Sequence, residues 1–175
     1  DVIIRAVPEV ATRINELKAG TADLMVGVPA DLKGDLENAG VTVMVAPSYR
    51  RLFINIKQGR NPALADVAVR QAMNYAVNCD EINEALFSGM AKCAIDLVNS
   101  PNNDPNLQPY PYDPEKAKSL LDAAGWVPGA DGIREKDGVR LSFDFDTTKG
   151  SYLSDAEVAQ VMVDYWKEVG IEIKD

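Results

Sequence analysis

The chain has 175 residues, of which 46% are hydrophobic and 26% are charged, and its formal net charge at pH 7 is −9. A soluble chain of this length and composition is expected to form one independent core, and its acidity argues against nucleic acid as a partner. The sequence contains no histidine, which excludes catalytic Ser–His and Cys–His pairs and HExxH zinc sites.

The first third of the chain is predicted to alternate strands with short helices. One helix is expected to start at Pro8 and stop at Gly20, and a shorter one to run from about Ala30 to Gly40. Apolar runs predict strands at residues 2–7, 22–28, 41–46 and 49–56. Because residues 1–4 and 170–175 both resemble the interior of a strand, we expect the sequence to be a piece of a larger protein.

Two further helices and two cysteines are predicted to follow. The first helix begins at about Asp66, and Asp80 is expected to cap the second, which Gly89 closes. Cys79 and Cys93 lie 14 residues apart with no CxxC or metal-ligand spacing. The favoured interpretation is that both cysteines are unpaired and act as small hydrophobic side chains. A disulfide between them is the alternative if the parent protein is exported.

Residues 94–112 are predicted to form a long, irregular connection rich in proline and asparagine. A helix then starts at Asp113-Pro114 and ends at Gly125, and residues 132–146 are expected to form a hairpin. A capping box at residues 154–157 starts the longest helix. Its predicted core face consists of Val158, Val161, Met162, Tyr165 and Val169. Together these elements predict an α/β fold with a mixed sheet.

The candidate chemical groups are few. Asp144 and Asp146 lie on one face of a predicted strand and could act as paired acids, although a solvated strand face is the favoured interpretation. Arg50 and Arg51 stand at the end of a predicted strand, where an arginine can grip a carboxylate with its fork or form an ordinary surface salt bridge. No glycine-rich phosphate motif occurs.

Four stretches, in order, carry a family resemblance. They are spread along most of the chain, from residue 17 to residue 171: 17–24 (LKAGTADL), 53–55 (FIN) with 66–77 (DVAVRQAMNYAV), 112–126 (YDPEKAKSLLDAAGW) and 160–171 (QVMVDYWKEVGI). This pattern resembles the family 5 extracellular solute-binding proteins, the peptide/nickel-type receptors of bacterial ABC importers.

The resemblance implies a fold and a function. The expected fold is an α/β, periplasmic-binding-protein type II lobe with a mixed sheet flanked by helices, and residues 1–175 would form a single lobe of a two-lobe receptor. Such a receptor is not an enzyme and needs no cofactor or metal; it captures a peptide or similar small solute between its lobes and delivers it to ABC permease subunits in the membrane. The parent protein would be periplasmic or anchored outside the cell, and this piece would be monomeric and would not bind nucleic acid.

The resemblance also assigns a ligand-binding surface. Residues 53–55 (Phe-Ile-Asn) are called the Phe-Asn motif. The strand before this motif and the loop before the last helix correspond to cleft-lining segments of the family. The ligand-binding residues expected from them are Tyr49, Arg50, Arg51, Thr147, Thr148 and Tyr152. Two alternatives remain open at this point: a sensory receptor of the same fold that does not serve a transporter, and a hydrolase that uses Asp144 and Asp146.

Overall fold

A computed structural model of the chain describes residues 1–46, 48, 50–97 and 104–174. The chain divides into two compact units, Asp1–Ser48 and Tyr49–Asp175. That the two units belong to one lobe stays a prediction. In the described part of the chain, no helix combines the length and the apolar character needed to cross a membrane.

In its described residues, the first unit contains two helices and a short turn of 3₁₀ helix. Helix α1 spans Val10–Lys18, the 3₁₀ turn spans Ala30–Leu32, and α2 spans Lys33–Asn38. Both predicted helices are therefore confirmed. The predicted strands are wrong for this unit, because its described residues join no sheet, and Ile3 and Ile4 are 85% and 91% exposed. An apolar run needs a neighbouring strand to satisfy its backbone, and none of these runs has one here.

The second unit holds five helices in its described residues. They are α3 (Pro62–Ala65), α4 (Val67–Tyr75), α5 (Cys79–Phe87), α6 (Pro114–Ala123) and α7 (Asp155–Glu168). Each of the helices α3 to α6 begins with a side chain that accepts a hydrogen bond from a backbone N–H of the first turn. In order, these side chains are Asn61, Asp66, Asn78 and Asp113. The expected cap of α5 is corrected, because Asn78 performs this role and Asp80 lies inside the helix.

The strands in the described residues of the second unit form two small sheets. Strands β1 (Val127–Pro128), β2 (Arg134–Lys136) and β3 (Val139–Arg140) pair antiparallel, whereas β4 (Ser142–Asp144) and β5 (Glu172–Lys174) pair in parallel. The predicted hairpin is confirmed at β2 and β3, but its second strand is split. Leu141 is the point of change, since its N–H donates to Arg134 and its carbonyl accepts from Glu172. No strand forms over the described residues 50–56, in contrast to the prediction.

The core of the second unit lies between the helices and the parallel pair. Trp166 of α7 is 1% exposed, donates its indole N–H to the Met73 carbonyl at 3.1 Å, and packs edge-on against Phe145. Burial of this large ring rotates α7 away from the expected orientation. Of the predicted core face only Val169 is buried, and Val158, Val161, Met162 and Tyr165 are half-buried.

Cys79 and Cys93 form a disulfide, with 5.8 Å between their Cα atoms, so the favoured prediction of two unpaired cysteines is wrong. The chain leaves α5 through Ser88 and Gly89, both with positive φ, and runs back along the helix. The side-chain oxygen of Asn83 accepts the Ala91 N–H at 2.9 Å on this return path. The reversal brings Cys93 beside the first residue of α5.

The described parts of the predicted connection, residues 94–97 and 104–112, contain no helix or strand. Tyr110 packs edge-on against Tyr75 with 5.0 Å between ring centroids, and the Asp113 N–H donates to the Tyr75 carbonyl at 2.8 Å. These contacts attach the end of the connection to the end of α4.

Candidate ligand-binding surface

Two of the predicted site residues, 102 positions apart in the sequence, meet in the structure. The Arg50 guanidinium carbon lies 5.6 Å from the centroid of the Tyr152 ring, within the range of a cation–π contact. Tyr152 remains 46% exposed. The segment before the Phe-Asn motif and the loop before α7 therefore share one accessible surface.

Arg51 points to a different partner. Its Nη1 donates to the backbone carbonyl of Asp96 and lies 3.2 Å from the Asp96 carboxylate. The side chains of Arg51 and Asp96 are 25% and 16% exposed, so this ion pair is largely shielded from water. Neighbouring arginines thus have separate surroundings, one above an aromatic ring and the other against a carboxylate.

Of the remaining predicted ligand-binding residues, one is exposed on the surface and another holds the loop in place. Tyr49 lies outside the described residues. Thr147 is exposed, and its hydroxyl donates to the Thr148 carbonyl at 3.4 Å. Thr148 directs its hydroxyl to the Asp155 carboxylate at 2.6 Å, so it holds the loop in place.

Asp155 organises the loop that carries Tyr152, and the sequence analysis missed it. Its carboxylate is 6% exposed and accepts hydrogen bonds over 2.6–3.2 Å from one hydroxyl and four backbone N–H groups. The donors belong to Thr148, Gly150, Ser151, Tyr152 and Ala156.

The capping-box interpretation obscured this role. Ser154 has a φ of +54° and makes no side-chain cap, which leaves Asp155 to bind the preceding loop. The sequence signal was an aspartate at the first position of a helix after a polar, glycine-containing loop, a pattern that also fits an ordinary acidic first turn.

The hydrogen bond from Thr148, supported by those from Gly150, Tyr152 and Ala156, holds the pKa of Asp155 far below its ordinary value of 3.8. A lowered pKa in the folded state means that the carboxylate stabilises the fold above about pH 4 and that this contribution falls as the pH drops below it.

We therefore expect Asp155→Asn to destabilise the protein at pH 6 and to lose much of this effect near pH 2.5. Urea unfolding of both proteins across this pH range measures the difference. Glu157→Gln, an exposed acidic change in the same helical turn, is the matched control and should show no comparable dependence. An Asp155 effect that stays constant with pH would contradict the assignment.

The other candidate features are the paired aspartates, metal ligands and a pocket. Asp144 and Asp146 are exposed at and just after the end of β4. Within the described ranges, no group of three or more His, Cys, Asp or Glu residues is placed to hold a metal ion. The described residues that line an open pocket of about 310 Å³ include none of the predicted site residues. They are Ile56, Val67, Arg70, Gln71, Asn74 and Tyr110.

Curated relatives are binding proteins. The chain is 28% identical to the nickel-binding periplasmic protein of Escherichia coli K12, over 98% of the chain and 34% of the relative. It is 30% identical to the oligopeptide-binding protein AppA of Bacillus subtilis 168, over 99% of the chain and 32% of the relative. A heme-binding protein A of Haemophilus influenzae is 36% identical over 73% of the chain and 24% of its own length. The chain spans about a third or less of these relatives.

Solved structures of binding proteins are also similar to this chain. NikZ from Campylobacter jejuni in complex with Ni(L-His) superposes with a TM-score of 0.77 and 28% identity, over 96% of this chain and 34% of NikZ. AppA from Bacillus subtilis in complex with a nonapeptide gives a TM-score of 0.72 and 28% identity, over 96% of this chain and 34% of AppA. These neighbours confirm the α/β fold class and the type II periplasmic-binding-protein architecture.

The family model described as bacterial extracellular solute-binding proteins, family 5 middle, matches residues 1–174. The match includes the four motif stretches, the helices that they predict and the segments that meet at Arg50 and Tyr152. The family consists of binding proteins and not of enzymes. The chain therefore belongs to the family 5 bacterial extracellular solute-binding proteins.

Proposed function

We propose that the chain is part of the substrate-binding component of an ABC importer, which captures a peptide or similar small solute in a cleft between two lobes. Relatives named for nickel, heme and oligopeptide binding support this function. In this chain, the main support is the contact between Arg50 and Tyr152. It brings together, on one exposed surface, the two segments that the family resemblance predicts to bind ligand.

The proposed ligand surface of this chain comprises Tyr49, Arg50, Arg51, Thr147, Thr148 and Tyr152. The guanidinium of Arg50 carries planar N–H groups of the kind that bind a carboxylate, such as that of a peptide. Asp155 holds the loop through the N–H groups of Gly150, Ser151 and Tyr152, so the loop would offer carbonyl groups to a peptide backbone, and such contacts tolerate many side chains. A ligand that touches both lobes would stabilise the closed receptor, which the permease subunits recognise.

The proposed location follows from the same relationship. An exported receptor works in the periplasm or on the outer face of the membrane, where disulfides persist, and the Cys79–Cys93 bond suits that compartment.

A thermal-shift series tests the proposal on the full-length protein that contains this chain. The probes are trialanine, maltotriose and a nickel–histidine chelate, each at 0.1 and 1 mM. A probe at about 100 times its Kd adds about 2.7 kcal/mol to stability, which raises Tm by several degrees. We expect one probe to stabilise the full-length protein and to shift the isolated chain much less, because a lone lobe makes only part of the contacts.

Matched variants locate the site. Arg50→Met and Tyr152→Ala should each reduce the ligand-induced shift, whereas Arg60→Met, at an exposed arginine of the same unit, should preserve it. A full-sized shift in the isolated chain, or an undiminished shift in both site variants, would contradict the proposed site. Ligand binding without co-purifying permease subunits would instead favour the sensory receptor.

A further inference from the structure

The Cys79–Cys93 disulfide lies on a short path to the candidate ligand surface. It joins the first residue of α5 to the segment that returns along the helix, and Asp96 follows three residues later. The backbone carbonyl and the carboxylate of Asp96 both accept hydrogen bonds from the Arg51 guanidinium. A covalent bond, a short stretch of chain and an ion pair therefore connect α5 with Arg51.

In the described residues, the return segment is held to α5 by the disulfide and by backbone hydrogen bonds. The Met90 N–H donates to the Phe87 carbonyl at 2.9 Å, and the Ala91 N–H donates to the Asn83 side chain at 2.9 Å. Residues 90–97 form no helix or strand that would fix their path by a backbone ladder. Of these attachments to α5, the covalent one at Cys93 lies nearest to Asp96, three residues before it.

We propose that the disulfide and Asp96 are positioning elements for the ligand surface: the disulfide holds Asp96 in place, and Asp96 orients the Arg51 guanidinium. The part of this inference that concerns ligand affinity rests on the proposed function. The part that concerns Arg51 orientation is independent of any ligand. A disulfide with a purely structural role would stabilise the fold without affecting the orientation of the Arg51 side chain.

Reduction provides the perturbation. A dithiol such as dithiothreitol breaks the S–S bond by delivering two electrons and two protons, which yields two cysteine thiols and the cyclic disulfide of the reagent. Cys79 and Cys93 are the two cysteines of this sequence, so the reagent has one target within it.

The readout is the side-chain Nε–H signal of Arg51 in full-length protein labelled with ¹⁵N-arginine, assigned by its loss in Arg51→Lys. We expect dithiothreitol to move this signal towards its position in Asp96→Asn. Asp96→Glu, which keeps the carboxylate, should retain a signal near the oxidised position. Glu84→Gln, at an exposed carboxylate of α5, is the charge control and should leave the signal in place.

The control for the reagent is the Cys79→Ser/Cys93→Ser protein, whose Arg51 signal should already be displaced and should not respond to dithiothreitol. If this variant does not fold, reduced wild type with two alkylated thiols replaces it. An Arg51 signal unmoved by reduction, even with a lowered Tm, would overturn the proposal and leave the disulfide with a purely structural role.

Affinity is then compared in the two redox states by calorimetry with the probe that stabilises the full-length protein. We expect reduction to weaken binding about two- to five-fold, the range of a modest ion-pair contribution. A displaced Arg51 signal with unchanged affinity would overturn the ligand part of the inference. The proposed function fails by a different result, the absence of stabilisation by every probe.

Discussion

Arg134→Leu is expected to lower the free energy of unfolding by about 2–4 kcal/mol, since it leaves two buried carbonyl groups, those of Trp126 and Val169, without their donor. The Arg134 side chain is 5% exposed. Its Nε donates to the Val169 carbonyl at 2.9 Å, and its Nη1 contacts the Trp126 carbonyl at 2.6 Å and the Asp122 carboxylate at 2.5 Å. One side chain therefore ties β2 to the ends of α6 and α7.

Arg140→Leu is the matched control in the neighbouring strand. Arg140 also bridges two carboxylates, those of Asp131 and Glu172, but its side chain is 42% exposed and the pair is screened by water. Urea unfolding at pH 7 should therefore show a much smaller loss for Arg140→Leu. Equal losses for the two variants would contradict the role assigned to burial at Arg134.

Helices were predictable because their determinants are local. Asp113 and Pro114 start α6, and an apolar stripe of Ala117 and Leu121 faces the core, as the spacing indicated. Strands were less predictable because each needs a partner that the sequence does not name. Leu141 shows the difficulty. Apolar and polar residues alternate through residues 139–146 and predict one continuous strand, yet at Leu141 the chain changes the strand with which it pairs.

The candidate site shows the same division. The resemblance placed Arg50 and Tyr152 in a common ligand surface, and the structure brings them within cation–π distance, although ligand binding by them stays a prediction. Asp155 was missed because its hydrogen bonds depend on how the preceding loop folds back. Asp96 was missed because its partner, Arg51, is 45 residues away and no pattern of spacing links them.

Gly170→Ala is expected to cost about 3 kcal/mol or more, since it combines backbone strain with overpacking. Gly170 has a φ of +88° and ends α7, and the following N–H of Ile171 donates back to the Trp166 carbonyl at 2.9 Å, as in a Schellman motif. A Cβ at this position would lie 2.7 Å from the Arg134 Cγ and 2.9 Å from the Gly132 carbonyl oxygen. Both distances are too short for unstrained contact, and the second involves backbone that cannot turn aside.

Gly138→Ala separates the two causes. Gly138 has a similar φ of +76°, but a Cβ there would meet no atom within 4 Å, so only the backbone cost of about 1–2 kcal/mol applies. Urea unfolding of the two variants should therefore give the larger loss for Gly170→Ala. Because part of the clash is with the Arg134 side chain, Arg134→Ala combined with Gly170→Ala should lose less stability than the two single changes added together. Equal losses for the two glycine variants would show that the close approach does not limit residue 170. Full additivity of the double change would show that the Arg134 side chain is not part of the clash.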